Sequence, residues 1–315
     1  MAYVLRAGES TAAGIKRVIE EEIEAAAAQL SQRSIARRDE AIHEARKSVK
    51  KIRAALRLVE DDLGELFQRE NRRLRDTGRQ LANFRDAAAS IEIFDKAIAA
   101  LGDHPGKNDL SSIRRVLQRY KREGAQGAAL KAVLDKLVTL LGSTNKRVHK
   151  WPLAADGLPI IAKGLERTFQ RGRKAMAAAH EEGSPESYHD WRKRVKDHWY
   201  QLMLLENLWT GEMREQMKTL KELETCLGDD HDLVLLLESL NAKHADFKPK
   251  DLESFLTAAG HHQKKLRERA ASLGHEIYHE TAADFIERVD KQWDIWQKGL
   301  SASSIRRRTR SSTAR

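Results

Sequence analysis

The segment His43-Glu44-Ala45-Arg46-Lys47-Ser48-Val49-Lys50 returns 146 positions later as His189-Asp190-Trp191-Arg192-Lys193-Arg194-Val195-Lys196. The shared pattern, His-acid-x-Arg-Lys-x-Val-Lys, sets one imidazole beside three cations. Arginine offers a planar fork that grips phosphate oxygens in pairs, and lysine acts as a mobile point charge. Histidine adds a donor that gains a second proton where phosphate raises its pKa. The pattern contains no activated nucleophile, so the chemistry it suits is binding of a polyanion.

Both copies read as helix. At 100° per residue, His43, Arg46, Lys47, Lys50, Arg53 and Arg57 fall within an arc of roughly 120°. The apolar stripe Ile42, Ala45, Val49, Ile52, Leu56 and Val59 is centred about 120° away. The basic edge therefore flanks the core, where it can line a groove between helices. In the second copy His189, Arg192, Lys193 and Lys196 take the same arc, while Tyr188, Trp191, Val195, Leu202 and Leu205 supply apolar contacts. A single Lys/Arg-rich helix is ordinarily a solvated face, and like charges at this spacing repel by a few tenths of a kcal/mol per pair. Two matched copies argue for a site whose ligand removes that repulsion. Arg115, Arg119 and Arg122 in the first half, and Lys264, Lys265 and Arg269 in the second, would either extend the groove or remain solvated.

The elements that must position these edges are helical. The chain has 315 residues and only five prolines, with 41 % hydrophobic and 33 % charged residues. Its apolar positions recur at helical spacing with almost no β-branched alternation. Ile15, Ile19 and Ile23 open one helix, and Leu74, Leu81, Ile91, Phe94 and Ile98 mark a third after the His43 helix. Leu117, Leu130, Val133, Leu134, Leu137 and Leu141 mark a last one or two. Gly102 to Gly106 and Gly142 to Asn145 read as breaks, and Trp151 to Pro159 as the connection between halves. Beyond it Ile161 and Leu165, the His189 helix, Leu220 to Leu240 and a long stretch around Phe255 to Trp296 repeat the order.

The offset of 146 holds without a gap from Ile15/Ile161 through Leu74/Leu220 and Leu81/Leu227 to Asp86/Asp232. The expected organisation is a tandem duplication. Residues 1–150 and 151–300 each form a four-helix bundle, the two bundles are pseudo-symmetric, and they pack around a basic central groove. A disordered basic tail is expected over 301–315.

Lys and Arg total 57 against 47 Asp and Glu, a net charge of +10 that favours an acidic partner. Cys226 is the sole cysteine, so no disulfide within the chain is available. Met1 to Ser10 lacks an apolar signal core, and no stretch approaches a membrane span, so a cytoplasmic protein without membrane contact is expected.

At the two basic helices, and at Leu81-x-x-x-Arg85-Asp86 and Leu227-Gly228-x-x-His231-Asp232, the sequence resembles the CHAD family, the conserved histidine α-helical domain. The resemblance runs from about residue 5 to 300. It implies paired four-helix bundles whose basic residues line a groove, non-catalytic binding of long-chain inorganic polyphosphate, and association with polyphosphate granules. Lys51 and Arg53 face Asp197 and Trp199 in the second copy, so the halves are expected to contribute unequally. The CYTH triphosphatase fused to some members has a Glu-x-Glu-x-Lys signature. Glu22-Ile23-Glu24-Ala25-Ala26 has alanine in place of its lysine, so a stand-alone member without cofactor or metal is expected.

Two other readings stay open. Basic helices and an Arg-rich tail suit weak, non-specific contacts to nucleic-acid backbones, although aromatics at 6 % offer no obvious base-stacking platform. His189-Asp190 and Asp229-Asp230-His231-Asp232 also resemble ligand pairs of metal-dependent phosphohydrolases. Against this, Arg85 stands opposite His231, and carboxylates after Gly228 suit a helix start.

Overall fold

The computed structural model describes residues 3–32, 34, 37–82, 86–100, 110–123, 127–154 and 156–312; for 86–89, 121–123, 127–129 and 300–312 it describes the backbone alone. The described residues are all-α. In chain order the helices are α1 (Thr11–Leu30), α2 (Arg38–Leu58), the single turn α3 (Glu60–Leu63), α4 (Glu65–Ala82), α5 (Asp86–Ala100) and α6 (Ser111–Glu123). There follow α7 (Gly127–Val148), α8 (Pro159–Glu182), α9 (Pro185–Leu204), α10 (Gly211–Ala242), α11 (Pro249–Tyr278) and α12 (Ala282–Ser312). No helix of the described residues is long and apolar enough to cross a membrane.

Local signals set the helices that carry the repeated motif. Gly183, at φ 63°, ends α8 and its N–H bonds to Ala179 O at 3.0 Å. Ser184 then caps α9, its hydroxyl accepting from Ser187 N at 3.1 Å, and Pro185 fixes the first turn. His189 thus lies one turn inside a firmly started helix. α2 has no side-chain cap, but Asp39 and Glu40 in its first turn favour the positive end of the helix dipole.

α2 packs on α1, α4, α8 and α9, and α9 packs in turn on α8 and α10. The approach of α2 to α8 depends on Gly164, where a Cβ would run into the Leu58 backbone. The apolar stripe of α2 is fully buried: Ile52 and Leu56 are 0 % exposed. Its counterpart on α9 buries Trp191, Val195 and Leu202 to the same extent. The segment before α1 is tied to the far half, with Leu5 N bonded to Leu204 O and Asn207 Nδ2 to Leu5 O, each at 2.8 Å.

The cores do not divide at the connection near residue 150. The larger one draws on α1, α2, α4 and α7 together with α8 to α12. The smaller one joins Phe94, Ile113 and Leu117 of α5 and α6 to Leu236, Leu240 and Phe255 of α10 and α11. First-half helices thus finish their burial against second-half partners.

Several expected boundaries differ. Gly142 to Asn145 do not break the chain but sit inside α7, where the Ser143 and Thr144 hydroxyls donate back to Leu140 O. In the stretch from Leu74 to Ile98 the described residues form α4 and α5, with 83–85 outside the described residues, and Leu220 to Leu240 belong to one 32-residue helix, α10. The stretch from Phe255 to Trp296 is broken between Tyr278 and Ala282, where Thr281 caps α12 through Asp284 N at 3.2 Å. The tail expected to be disordered is helical as far as Ser312, since no proline follows Gly299 to stop α12. The expected break at Gly102 to Gly106 lies outside the described residues.

Candidate functional site

The crossing of α2 and α9 creates a cleft of about 580 Å³. α2 lines it with His43, Arg46, Lys47 and Lys50, and α9 with Arg192, Lys196, Trp199 and Tyr200. The third wall is α10, where Lys221, Glu224, Thr225, Gly228 and Asp232 recur at helical spacing and His231 joins them; α5 adds Ile93. Six of the ten residues expected on the two basic edges therefore meet in one space.

The other four are placed differently. His189 lies behind the lining, its ring stacked on that of His231 with centroids 4.1 Å apart. Lys193 is not among the residues that line the cleft and pairs with Asp190 on its own helix. Arg53 and Arg57 lie beyond the crossing. Arg53 donates to Asn71 Oδ1 of α4 at 3.0 Å, and Arg57 reaches Asp197 of α9 at 3.1 Å. Both belong to the predicted arc, but by residue 53 the edge has passed from α10 to α4. Burial, and then the neighbouring Arg57, bring the Arg53 guanidinium down to about 10.

Among the described side chains, none of the further basic residues lines the cleft. Arg115 bonds to Ser111 O, Arg119 to Asp246 and Arg269 to Glu222. Lys264 lies 3.9 Å from Glu268, and Lys265 is exposed. The side chains of Arg85, Asp86 and Arg122 lie outside the described residues.

The electrostatics inside the cleft are uneven. Lys196 Nζ sits 2.5 Å from Glu224 Oε1, and Lys221 Nζ 2.7 Å from Glu224 Oε2, so one carboxylate holds two cations. Burial pushes Glu224 up, but Lys196 and Lys221 outweigh it and keep the carboxyl at about 2. Burial lowers Lys196, and Glu224 only partly restores it. Lys221 also lies 4.1 Å from the centre of the Trp199 ring. Arg192 Nε is buried without a hydrogen-bond partner, a donor of the kind a phosphate oxygen would satisfy. Lys47 is 3.5 Å from Glu44, an i,i+3 contact mirrored by Lys193 and Asp190.

The α10 wall was not visible in the repeated motif. Its Lys221 stands at the offset of 146 from Arg75, and its Gly228, His231 and Asp232 belong to the downstream Leu227-Gly228-x-x-His231-Asp232 motif. The Asp229-Asp230-His231-Asp232 run is split by the helix it lies in. Asp230 pairs with Arg267 of α11 at 2.8 Å, away from the cleft, while Asp229, His231 and Asp232 line it and Asp229 pairs with Lys96 of α5. Among the described residues no three His, Cys, Asp or Glu side chains converge as metal ligands would.

Comparison with known proteins agrees with this architecture. The CHAD domain family model matches residues 17–241. The structure is similar to the crystal structure of the CHAD domain from the plant Ricinus communis, with a TM-score of 0.57 at 19 % identity over 89 % of this chain and 95 % of that one. No curated protein matches the chain. With the family model spanning most of its length, the chain belongs to the CHAD domain family.

Proposed function

We propose that the protein binds long-chain inorganic polyphosphate, without turning it over, in the cleft between α2, α9 and α10. The observation that carries this reading is the convergence of Arg46, Lys47 and Lys50 with Arg192 and Lys196 from a distant part of the chain. A phosphate chain presents one repeating oxyanion along its length, which suits cations spaced along two crossed helices. Arg46 and Arg192 would grip oxygens in pairs, and the lysines would follow the charge. Such a protein would reside in the cytoplasm and associate with polyphosphate granules.

The experiment is isothermal titration with long polyphosphate, tripolyphosphate and duplex DNA at one matched ionic strength. Long polyphosphate is expected to bind best and to lose affinity as salt rises, through counterion release. No phosphate should be released. Duplex DNA that displaces polyphosphate at equal charge concentration would turn the reading into non-specific backbone binding. Phosphate release suppressed by a chelator would turn it into a metal-dependent hydrolase.

A further inference from the structure

Beside the cationic lining stands a pair of histidines with no structural employment. The His189 and His231 rings stack with centroids 4.1 Å apart, joining α9 to α10. His189 Nδ1 is buried without a hydrogen-bond partner, and His231 faces the cleft. A buried polar atom without a partner is a donor or acceptor that a ligand oxygen can satisfy.

The charges around the pair explain its resting state. Lys50 reaches it from α2, and Arg192 and Lys193 from α9. Asp190 opposes them but is held by Lys193. On α10 Asp232 lines the cleft and Asp229 is occupied by Lys96 of α5, while His262 of α11 faces the same Asp229 and Lys96. Burial first, then these cations and the partner imidazole, drive His231 down to about 3 and lower His189 as well. Both rings are therefore neutral at neutral pH. A polyanion in the cleft would oppose the cationic part of these shifts, because it neutralises Lys50 and Arg192 and presents oxyanions to which an imidazolium can donate.

We infer that His189 and His231 form a proton-accepting station of the cleft, so that binding of a phosphate chain is coupled to uptake of protons by this pair. The inference rests on the polyphosphate reading and adds to it a pH dependence that arginines and lysines alone would not produce. Affinity should rise as pH falls through the neutral range, by about tenfold per pH unit for each proton taken up.

Titration calorimetry of the full chain with long-chain polyphosphate, at pH 6.0 and 7.5 in buffers of different ionisation enthalpy, counts these protons. The wild type is expected to take up one to two protons, and H189Q/H231Q to lose that uptake while retaining the salt-dependent affinity of the cations. The polymer's own terminal phosphates contribute equally to both proteins and cancel. If the double variant does not fold by circular dichroism, NMR titration of the histidine ring protons in the wild type, with and without polyphosphate, reads the same pair directly. Equal uptake in wild type and variant, or ring shifts that do not move on binding, would overturn the station and leave the binding reading intact. Absence of polyphosphate binding at every pH would overturn the binding reading itself.

Discussion

α2 and α9 carry the same motif over nearly the same length, 21 and 20 residues, and they present it differently. On α2, His43 and Lys47 are each nearly half exposed, at 46 % and 45 % of the side chain. On α9, His189 is stacked on His231, Lys193 is paired with Asp190 and Lys196 is locked to Glu224. The helix that follows each one makes the difference. After α9 comes the unbroken α10, which lies along the basic edge and supplies Lys221, Glu224 and His231. On the α2 side it is α4 that meets Arg53, through Asn71. Repetition determines which residue types stand on an edge, but the neighbouring helix decides what they face.

The comparison is broken most completely by removing both edges at once. Replacing Arg46, Lys50, Arg192 and Lys196 by Ala should cost on the order of 1 kcal/mol per lost contact, or about a thousandfold in affinity for long polyphosphate. The slope of log affinity against log salt should flatten by about 1 for each cation removed. An unaltered affinity by titration calorimetry, in a variant that keeps its helical circular dichroism, would show that the ligand binds elsewhere.

The second prediction concerns burial, which is greater around α9. His198 is 0 % exposed, its Nε2 has no hydrogen-bond partner, and burial drives it down to about 3 from the ordinary 6.5. Unfolded, it takes a proton below pH 6.5; folded, it stays neutral until about pH 3. Stability should therefore fall as pH drops from 6.5 toward 3, by up to about 1.4 kcal/mol per pH unit from this residue. His198 lies edge-on to Phe169 and Phe285, so His198→Leu offers an apolar replacement. Urea unfolding between pH 4.5 and 7.5 should show a shallower slope for that variant and an unchanged one for His43→Gln. Equal slopes for His198→Leu and wild type would remove buried histidine as the cause.

The third prediction separates neighbours on one helix. Arg192 lines the cleft with an unsatisfied Nε, whereas Lys193 pairs outside it. Arg192→Ala should weaken polyphosphate binding by about tenfold or more, and Lys193→Ala by about twofold or less. The reverse order in titration calorimetry would mean that α9 is rotated relative to this structure.

That contrast also shows how far the sequence carried. The helical period placed Ile52, Leu56, Trp191 and Leu202 in the core and His43, Arg46, Lys47 and Lys50 on one edge, because both depend only on positions within one helix. It could not separate Lys50 from Arg53, or Arg192 from Lys193. That separation depends on where α10 and α4 lie, and Lys221 is far from Lys50 in the chain. The break between Tyr278 and Ala282 and the pairing of α5 and α6 with α10 and α11 were hidden for the same reason. Each is settled by packing against a partner remote in sequence.

The smallest effect should be the most informative about the unequal halves. Gly78 stands at the first-half position equivalent to Glu224, so the restraint on Lys196 has no carboxylate equivalent in α4. Glu224 competes with the ligand, since Lys196 and Lys221 both spend their charge on it. In Glu224→Gln the amide keeps a hydrogen-bond acceptor of similar shape but gives up the charge. Lys196 is then buried beside Arg192 with nothing to oppose it, which should lower the melting temperature of the empty protein. A phosphate chain would restore the missing charge. Polyphosphate affinity should therefore rise by a few fold, and added polyphosphate should recover more thermal stability in the variant than in the wild type. A variant that loses affinity would show instead that Glu224 holds Lys196 in its binding position, and that the buried pair is part of the site's architecture.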